Sequence, residues 1–140
     1  MRILGLDIGD KRTGVAMCDE EEILASPFTI LENNSESALI NSVNEICHAN
    51  NVELIVIGLP QSLTGKMGIQ ALKVQEFINR FREVNKIPIV TWDERLTTVT
   101  AAKMLHESRG KKNKNKQHID AIAAAVLLQS FMDKKTKAIQ

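Results

Sequence analysis

The sequence predicts an α/β fold, most simply a mixed five-stranded sheet with helices on both faces. Three observations predict it. Three strand-like runs follow one another within the first 31 residues, as hairpin-connected neighbours do. After residue 35, helical periodicities alternate with short apolar runs. One of those runs, Leu54-Ile55-Val56-Ile57, has no polar face, as expected of a parallel strand covered on both sides. At 140 residues the chain is the size of one domain.

Residues 2–8 read as a buried strand, and Thr13–Cys18 as a second one after a short turn. Asp19-Glu20-Glu21-Glu22 forms a polar loop. Ile23–Leu31 is the third strand, and Pro27 places it at an edge or at an irregularity. Asn33-Asn34-Ser35 offers N-caps for a helix whose positions Leu39, Ile40, Val43, Ile46 and Cys47 repeat at helical spacing, with Asn50-Asn51 closing it. Gly58-Leu59-Pro60 is expected to break the central strand. A helix over 69–84 should turn Leu72, Phe77, Ile78 and Phe81 inward. The strand Pro88–Trp92 follows, then a helix starting near Thr97 or Thr98. Polar residues 108–117 separate it from a last helix running from His118 to about Met132, with 133–140 as a basic tail.

With 44% hydrophobic and 25% charged residues, the chain has the composition of a globular protein, not a disordered one. No apolar stretch approaches the roughly 20 residues that span a bilayer. No signal-peptide cleavage pattern follows the N-terminus. Cys18 and Cys47 stand alone, without metal-ligand spacing, and read as reduced thiols of a cytoplasmic protein. The formal charge of +1 conceals an asymmetry: residues 1–94 carry a net −6 and residues 95–140 a net +7. A basic half points to a polyanionic partner, although Lys134, Lys135 and Lys137 also suit a solvated tail.

Three acidic residues lie where one site could gather them. Asp7 ends the first apolar run, and a carboxylate there is costly without a partner. Gly9 and Gly14 allow close backbone approach around the following turn, and Lys11 and Arg12 are candidates for nucleic-acid backbone contacts. The plainer alternative is a hairpin in which Asp7 caps the turn and Arg12 pairs with Asp10. Asp93 and Glu94 follow the fifth strand. Alternation puts them on opposite faces, so one of the two can share a site with Asp7, and spacing alone does not choose. Asp93 could instead pair with Arg95, with Thr97 or Thr98 a plain N-cap. Asp120, in the first turn of the last helix, would on its own read as a carboxylate favoured by the helix dipole. Ala121 and Ala123–Ala125 let that helix approach the sheet. Carboxylate oxygens at strand ends suit a hard cation such as Mg²⁺. The run Arg109, Lys111, Lys112, Lys114 and Lys116 beside Asp120 is a candidate phosphate clamp, or simply a solvated loop.

These blocks, in this order, resemble the YqgF family of ribonuclease H-like proteins, described as Holliday junction resolvases and as nucleases maturing the 5′ end of 16S ribosomal RNA. The resemblance spans nearly the whole chain. It rests on Asp7-Ile8-Gly9 through Arg12-Thr13-Gly14-Val15-Ala16, Gly58-Leu59-Pro60 with Gly65, Asp93-Glu94-Arg95 with Thr97-Thr98, and Asp120 with Ala123-Ala124 and Leu127 to Phe131. It implies the strand order 3-2-1-4-5 and an acidic metal site of Asp7, Glu94 and Asp120, with Asp93 as the alternative ligand. Thr64 departs from the Asp that many relatives carry before the second-block glycine, which leaves the role of the 58–65 loop open.

The resemblance implies a Mg²⁺-dependent phosphodiester hydrolase, with Mn²⁺ able to substitute. Its substrate would be precursor rRNA or branched DNA, held by Lys11, Arg12, Arg95 and the 109–116 segment. A junction enzyme requires a homodimer with two sites, whereas an RNA-trimming enzyme works as a monomer. Two rivals exist. Asp-Ile-Gly also resembles the phosphate loop of actin-like ATPases and sugar kinases, which need two such domains. A non-catalytic RNA-binding ribosome-assembly module would keep the fold without cleavage.

Overall fold

The computed structural model describes residues 1–60, 68–109 and 116–139; the side chains of 108–109, 116–120 and 136–139 lie outside that description. Strands β1 (Ile3–Ile8), β2 (Arg12–Cys18) and β3 (Ala25–Glu32) form an antiparallel meander. β4 (Leu54–Leu59) pairs parallel with β1, and β5 (Ile89–Asp93) parallel with β4. The resulting order is β3-β2-β1-β4-β5, as the family resemblance implies.

Residue parity along β1 separates the two faces. Leu4, Leu6 and Ile8 point toward α1 (Glu36–Ala49) and α2 (Ile69–Val84), where Val43, Val74, Phe77 and Phe81 complete the larger core. Ile3, Gly5 and Asp7 point to the opposite face, which α4 (Lys116–Ile139) covers. The approach is tight. A Cβ on Gly5 would lie 2.9 Å from Leu128 Cβ and 3.2 Å from the Ala124 carbonyl oxygen. The alanine run thus does what its size suggests and lets α4 sit directly on β1. α3 (Val99–Arg109) packs on α4, and its Met104 and Trp92 of β5 lie against the same core cluster.

Several boundaries differ from expectation, each for a physical reason. Gly58 does not break β4; it lies within it, for a reason that emerges at the site. Leu72 is 57% exposed, because the buried stripe of α2 runs through Ala71, Val74, Phe77, Ile78 and Phe81. β5 ends at Asp93, one residue beyond the expected Trp92. α4 continues to Ile139 instead of ending near Met132, so residues 133–139 are helical. Lys135 there pairs with Glu22 at 2.9 Å, and Glu22 also meets the N-terminal ammonium. β3 is an edge strand with a bulge at Phe28, which the register skips between Thr29 and Pro27. The bulge and the proline both blunt the edge against pairing with another chain. Cys18 and Cys47 are buried free thiols, and burial pushes the Cys47 thiol up to about 11. Among the described residues, no helix is long and apolar enough to cross a membrane.

Candidate active site

Because β1, β4 and β5 are mutually parallel, their carboxyl ends form one rim, where open α/β sheets bind ligands. Asp7 comes from β1. One step beyond the Leu6–Ile57 pair, β4 contributes Gly58, which is registered with Trp92 of β5. Asp7 and Glu94 line a cleft of about 230 Å³ between this rim and the α3–α4 pair, closed by Trp92, Leu105, Ala123 and Leu127.

Glu94 reaches Asp7 by crossing over β4, and Gly58 is what it crosses. A Cβ on Gly58 would lie 2.7 Å from Glu94 Oε1 and 3.1 Å from Glu94 Cγ. The second-block glycine is therefore a gap for a carboxylate from the neighbouring strand. Sequence reasoning missed this role, and the only signal available was a glycine inside an otherwise fully apolar run.

Glu94 is exposed when averaged over the whole residue, yet its carboxyl end is tucked over Gly58 against Asp7. That partial burial, then the Asp7 charge, then the hydrogen bond the protonated Glu94 donates to Asp7, raise its pKa from 4.5 to about 7. Asp93 has the opposite fate. Arg95 grips it with Nε at 3.0 Å and Nη2 at 2.7 Å, while the Arg95 backbone N–H donates to Oδ1 at 2.9 Å. These bonds hold Asp93 below the usual carboxylate range. The fork that spacing left open thus has a geometric outcome: Glu94 faces Asp7, and Asp93 is occupied by Arg95.

Oxygen donors that repel one another suit a hard divalent cation. A bound cation would offset the burial and the Asp7 charge that raise the Glu94 pKa. Asp120 sits in the second turn of α4, one turn before Ala123 and Ala124; because the helix starts at Lys116, the first-turn dipole reading no longer applies. Its position shares the helix stripe that packs on Gly5, and its side chain lies outside the described residues, so no third acid joins the pair within them.

Lys11 is exposed in the β1–β2 turn and Arg12, the first residue of β2, is half-buried, four and five residues past Asp7. Asn33 braces that turn: its backbone N–H donates to the Lys11 carbonyl and its Nδ2 to the Gly9 carbonyl, both at 2.9 Å. Gln70 adds a bond from α2 to the Ile8 carbonyl at 2.6 Å. Asp10 pairs with Lys73, not with Arg12. Arg95, expected on nucleic acid, is bound to Asp93. Lys111, Lys112 and Lys114 lie outside the described residues, as do the side chains of Arg109 and Lys116 and the segment 61–67.

The family model for RuvX, described as Holliday junction resolvase, matches residues 1–134. The chain belongs to the RuvX family. Among curated relatives of this RuvX chain, a Clostridium kluyveri protein is 43% identical over 137 residues, covering 98% of this chain and 100% of its own. One from Desulforudis audaxviator is 38% identical over 135 residues, covering 96% of each. Both carry the name "Putative pre-16S rRNA nuclease". Among solved structures, Thermus thermophilus RuvC in complex with a Holliday junction substrate superposes with a TM-score of 0.65 at 12% identity, over 97% of both chains. The fowlpox virus resolvase bound to junction DNA gives 0.60 at 16% identity, over 96% of this chain and 99% of its own. These two establish the ribonuclease H-like fold of the RuvX chain.

The raised Glu94 pKa links pH to stability. Glu94 binds its proton more tightly folded than unfolded, so the contribution is fully present below about 4.5 and is lost as pH rises through about 7. In chelator, the urea midpoint of wild type should therefore fall relative to that of Glu94→Gln as pH rises across that window. A wild-type-minus-variant difference that stays flat with pH would show that Glu94 titrates normally.

Proposed function

We propose that the chain is a metal-dependent endonuclease acting on structured nucleic acid, with the 5′ end of precursor 16S rRNA as its substrate. The observation that carries this reading is the Asp7–Glu94 pair, two carboxyls held together over Gly58 at the parallel-strand rim. A chain that only bound RNA would gain nothing from this repulsion. The curated relatives named for pre-16S rRNA cleavage, similar over their full length, support the choice of substrate.

Asp7, Glu94 and Asp120 would hold one or two Mg²⁺ ions, with Mn²⁺ able to replace them. When bound, the ions supply an activated water and neutralise the charge developing on the leaving 3′ oxygen. The chain's own residues do the rest. Asp7 fixes one edge of the site from a strand buried on both sides of it. Burial and the neighbouring Asp7 raise the Glu94 pKa to about 7, and its proton must leave for both acids to serve as oxygen ligands. Lys11 and Arg12, on the braced turn, receive the substrate backbone. Arg109, Lys111, Lys112, Lys114 and Lys116 extend that contact, and Arg95 joins it on release from Asp93. Binding should therefore weaken steeply with salt. Hydrolysis leaves a 5′ phosphate. The enzyme works in the cytoplasm, and a monomer suffices for RNA.

The RuvX description favours a second reading, cleavage of four-way DNA junctions by a homodimer that presents two sites. The two are separated by offering labelled precursor rRNA and junction DNA side by side in Mg²⁺. Cleavage of the RNA alone is expected. Paired symmetric cuts in the junction, with the RNA intact, would replace the first reading by the second.

A further inference from the structure

The Glu94 segment is held at both ends, and its second anchor is not among the acids. Asp93 fixes the first end through the β4–β5 ladder and through the turn in which its carbonyl accepts from the Leu96 N–H at 3.0 Å. Thr98 fixes the second. Its backbone N–H donates to Ser130 Oγ at 3.3 Å, and its hydroxyl donates to Asp133 Oδ2 at 2.7 Å. The same hydroxyl accepts from the Ala101 N–H at 3.2 Å and so caps α3. The other oxygen of Asp133 accepts from Gln129 Nε2 at 3.0 Å. Gln129, 3% exposed, is itself locked, accepting from the Ala25 N–H at 2.9 Å and donating to the Ile23 carbonyl at 3.2 Å.

We propose that Thr98, Asp133 and Ser130 form a positioning clamp that ties the Glu94 segment to α4 and thereby holds the Glu94 carboxyl against Asp7. The inference rests on the nuclease reading for its effect on cleavage. Its geometric basis is independent of substrate. α4 packs on Gly5 through Leu128 and Ala124, and on Gly58 through Leu127. The helix that seats on the strands carrying Asp7 and Gly58 is thus also the one that grips Thr98. Between Asp93 and Thr98 lie four residues, with Glu94 first among them. Release of Thr98 leaves this stretch anchored at one end only, with Glu94 free to swing away from Asp7. Such a displacement matters because a misplacement of about 1 Å at a reacting centre can cost about 100-fold in rate.

A plain N-cap would explain one of these bonds, so the test must separate capping from clamping. Thr98→Ser keeps both the donor and the cap. Thr98→Asp keeps a cap acceptor but sets a carboxylate against Asp133. Thr98→Val keeps shape and loses both. Mn²⁺ affinity, measured by calorimetry on the metal alone, and single-turnover cleavage at saturating RNA are read for each, with melting temperature as the control for folding. Thr98→Ser should match wild type within about twofold. Thr98→Val and Thr98→Asp should bind Mn²⁺ and cleave at least about 10-fold more weakly, the lower end of the range for groups that orient metal ligands. Unchanged RNA affinity should accompany the loss. Thr98→Asp behaving like wild type would reduce Thr98 to a cap and overturn the clamp. So would equal Mn²⁺ affinity in all variants, or losses that only track the unfolded fraction. If neither impaired variant folds, Asp133→Ala, which spares the cap hydroxyl, is read by the same criteria. Clamp-dependent Mn²⁺ binding without cleavage of either nucleic acid would overturn the nuclease reading and leave the clamp standing. A wild type with no Mn²⁺ affinity overturns both.

Discussion

Asp7→Asn protein is expected to fold normally and to lose Mg²⁺-dependent cleavage by on the order of 10²–10³-fold, the scale on which removing a charge-stabilising group from a preorganised site is felt. Folding should survive because Asp7 is the last residue but one of β1, and its ladder bonds are made by the backbone. Toward Glu94 the side chain accepts a hydrogen bond while Glu94 is protonated and repels it once Glu94 ionises, so the substitution removes that repulsion along with a ligand. A second signature follows. Without the Asp7 charge, the Glu94 pKa should fall from about 7 toward 4.5, stopping short because burial is its largest cause. Carboxyl chemical shifts followed through a pH titration in chelator measure this. Cleavage by Asp7→Asn at the wild-type rate would remove Asp7 from the site, whatever the shifts show.

What the sequence disclosed about this site follows the range of the contacts involved. Asp7 was legible because a carboxylate ending an apolar strand is a local anomaly, visible within seven residues. A helix cap at Thr97 or Thr98 was legible as a local signal, and the bond from the Ala101 N–H selects Thr98. Glu94 and Asp93 were indistinguishable by alternation because β5 stops at Asp93, so the parity rule no longer applies at the residue that matters. The decision is made across strands, by Arg95 folding back on Asp93 and by the opening at Gly58. Neither leaves a periodic trace. Leu72 was misassigned inward because Leu72 and Ala71 are neighbours, and a helix stripe read from large residues overlooks a buried alanine. The end of α4 was placed too early for a related reason: Lys134 and Lys135 look like a solvated tail until Glu22, 113 residues upstream, is seen to meet Lys135. The clamp of Thr98 on Asp133 spans 35 residues and joins two polar side chains with no pattern of their own. The sheet order came from family resemblance, since no single-sequence rule says which edge β4 joins.

Gly58→Ala should separate activity from stability more sharply than any substitution of an acid. The added methyl enters the space of Glu94 Oε1 and Cγ, at 2.7 and 3.1 Å, and touches Leu127 Cδ2 at 3.1 Å. Two of these atoms belong to a flexible carboxylate side chain, which can rotate away at small cost. The backbone of Gly58 lies in a regular strand, so alanine also gains the roughly 0.4–1 kcal/mol that follows from restricting the unfolded chain. Crowding against Leu127 opposes that gain within the usual 1–3 kcal/mol range for overpacking, so the net should be a destabilisation of no more than about 2–3 kcal/mol. Cleavage should nonetheless fall on the order of 100-fold, because the relief is bought by displacing Glu94 from Asp7. The cause is checked with a double-mutant cycle. In a Glu94→Gln background, already inactive, Gly58→Ala should no longer alter Mn²⁺ affinity, because the side chain it displaces has stopped contributing charge. In the wild-type background it should weaken Mn²⁺ binding markedly. Additive effects across the cycle would mean that the methyl acts on Leu127 and the helix seat instead, and Gly58 would then be a packing residue with no part in the acid pair.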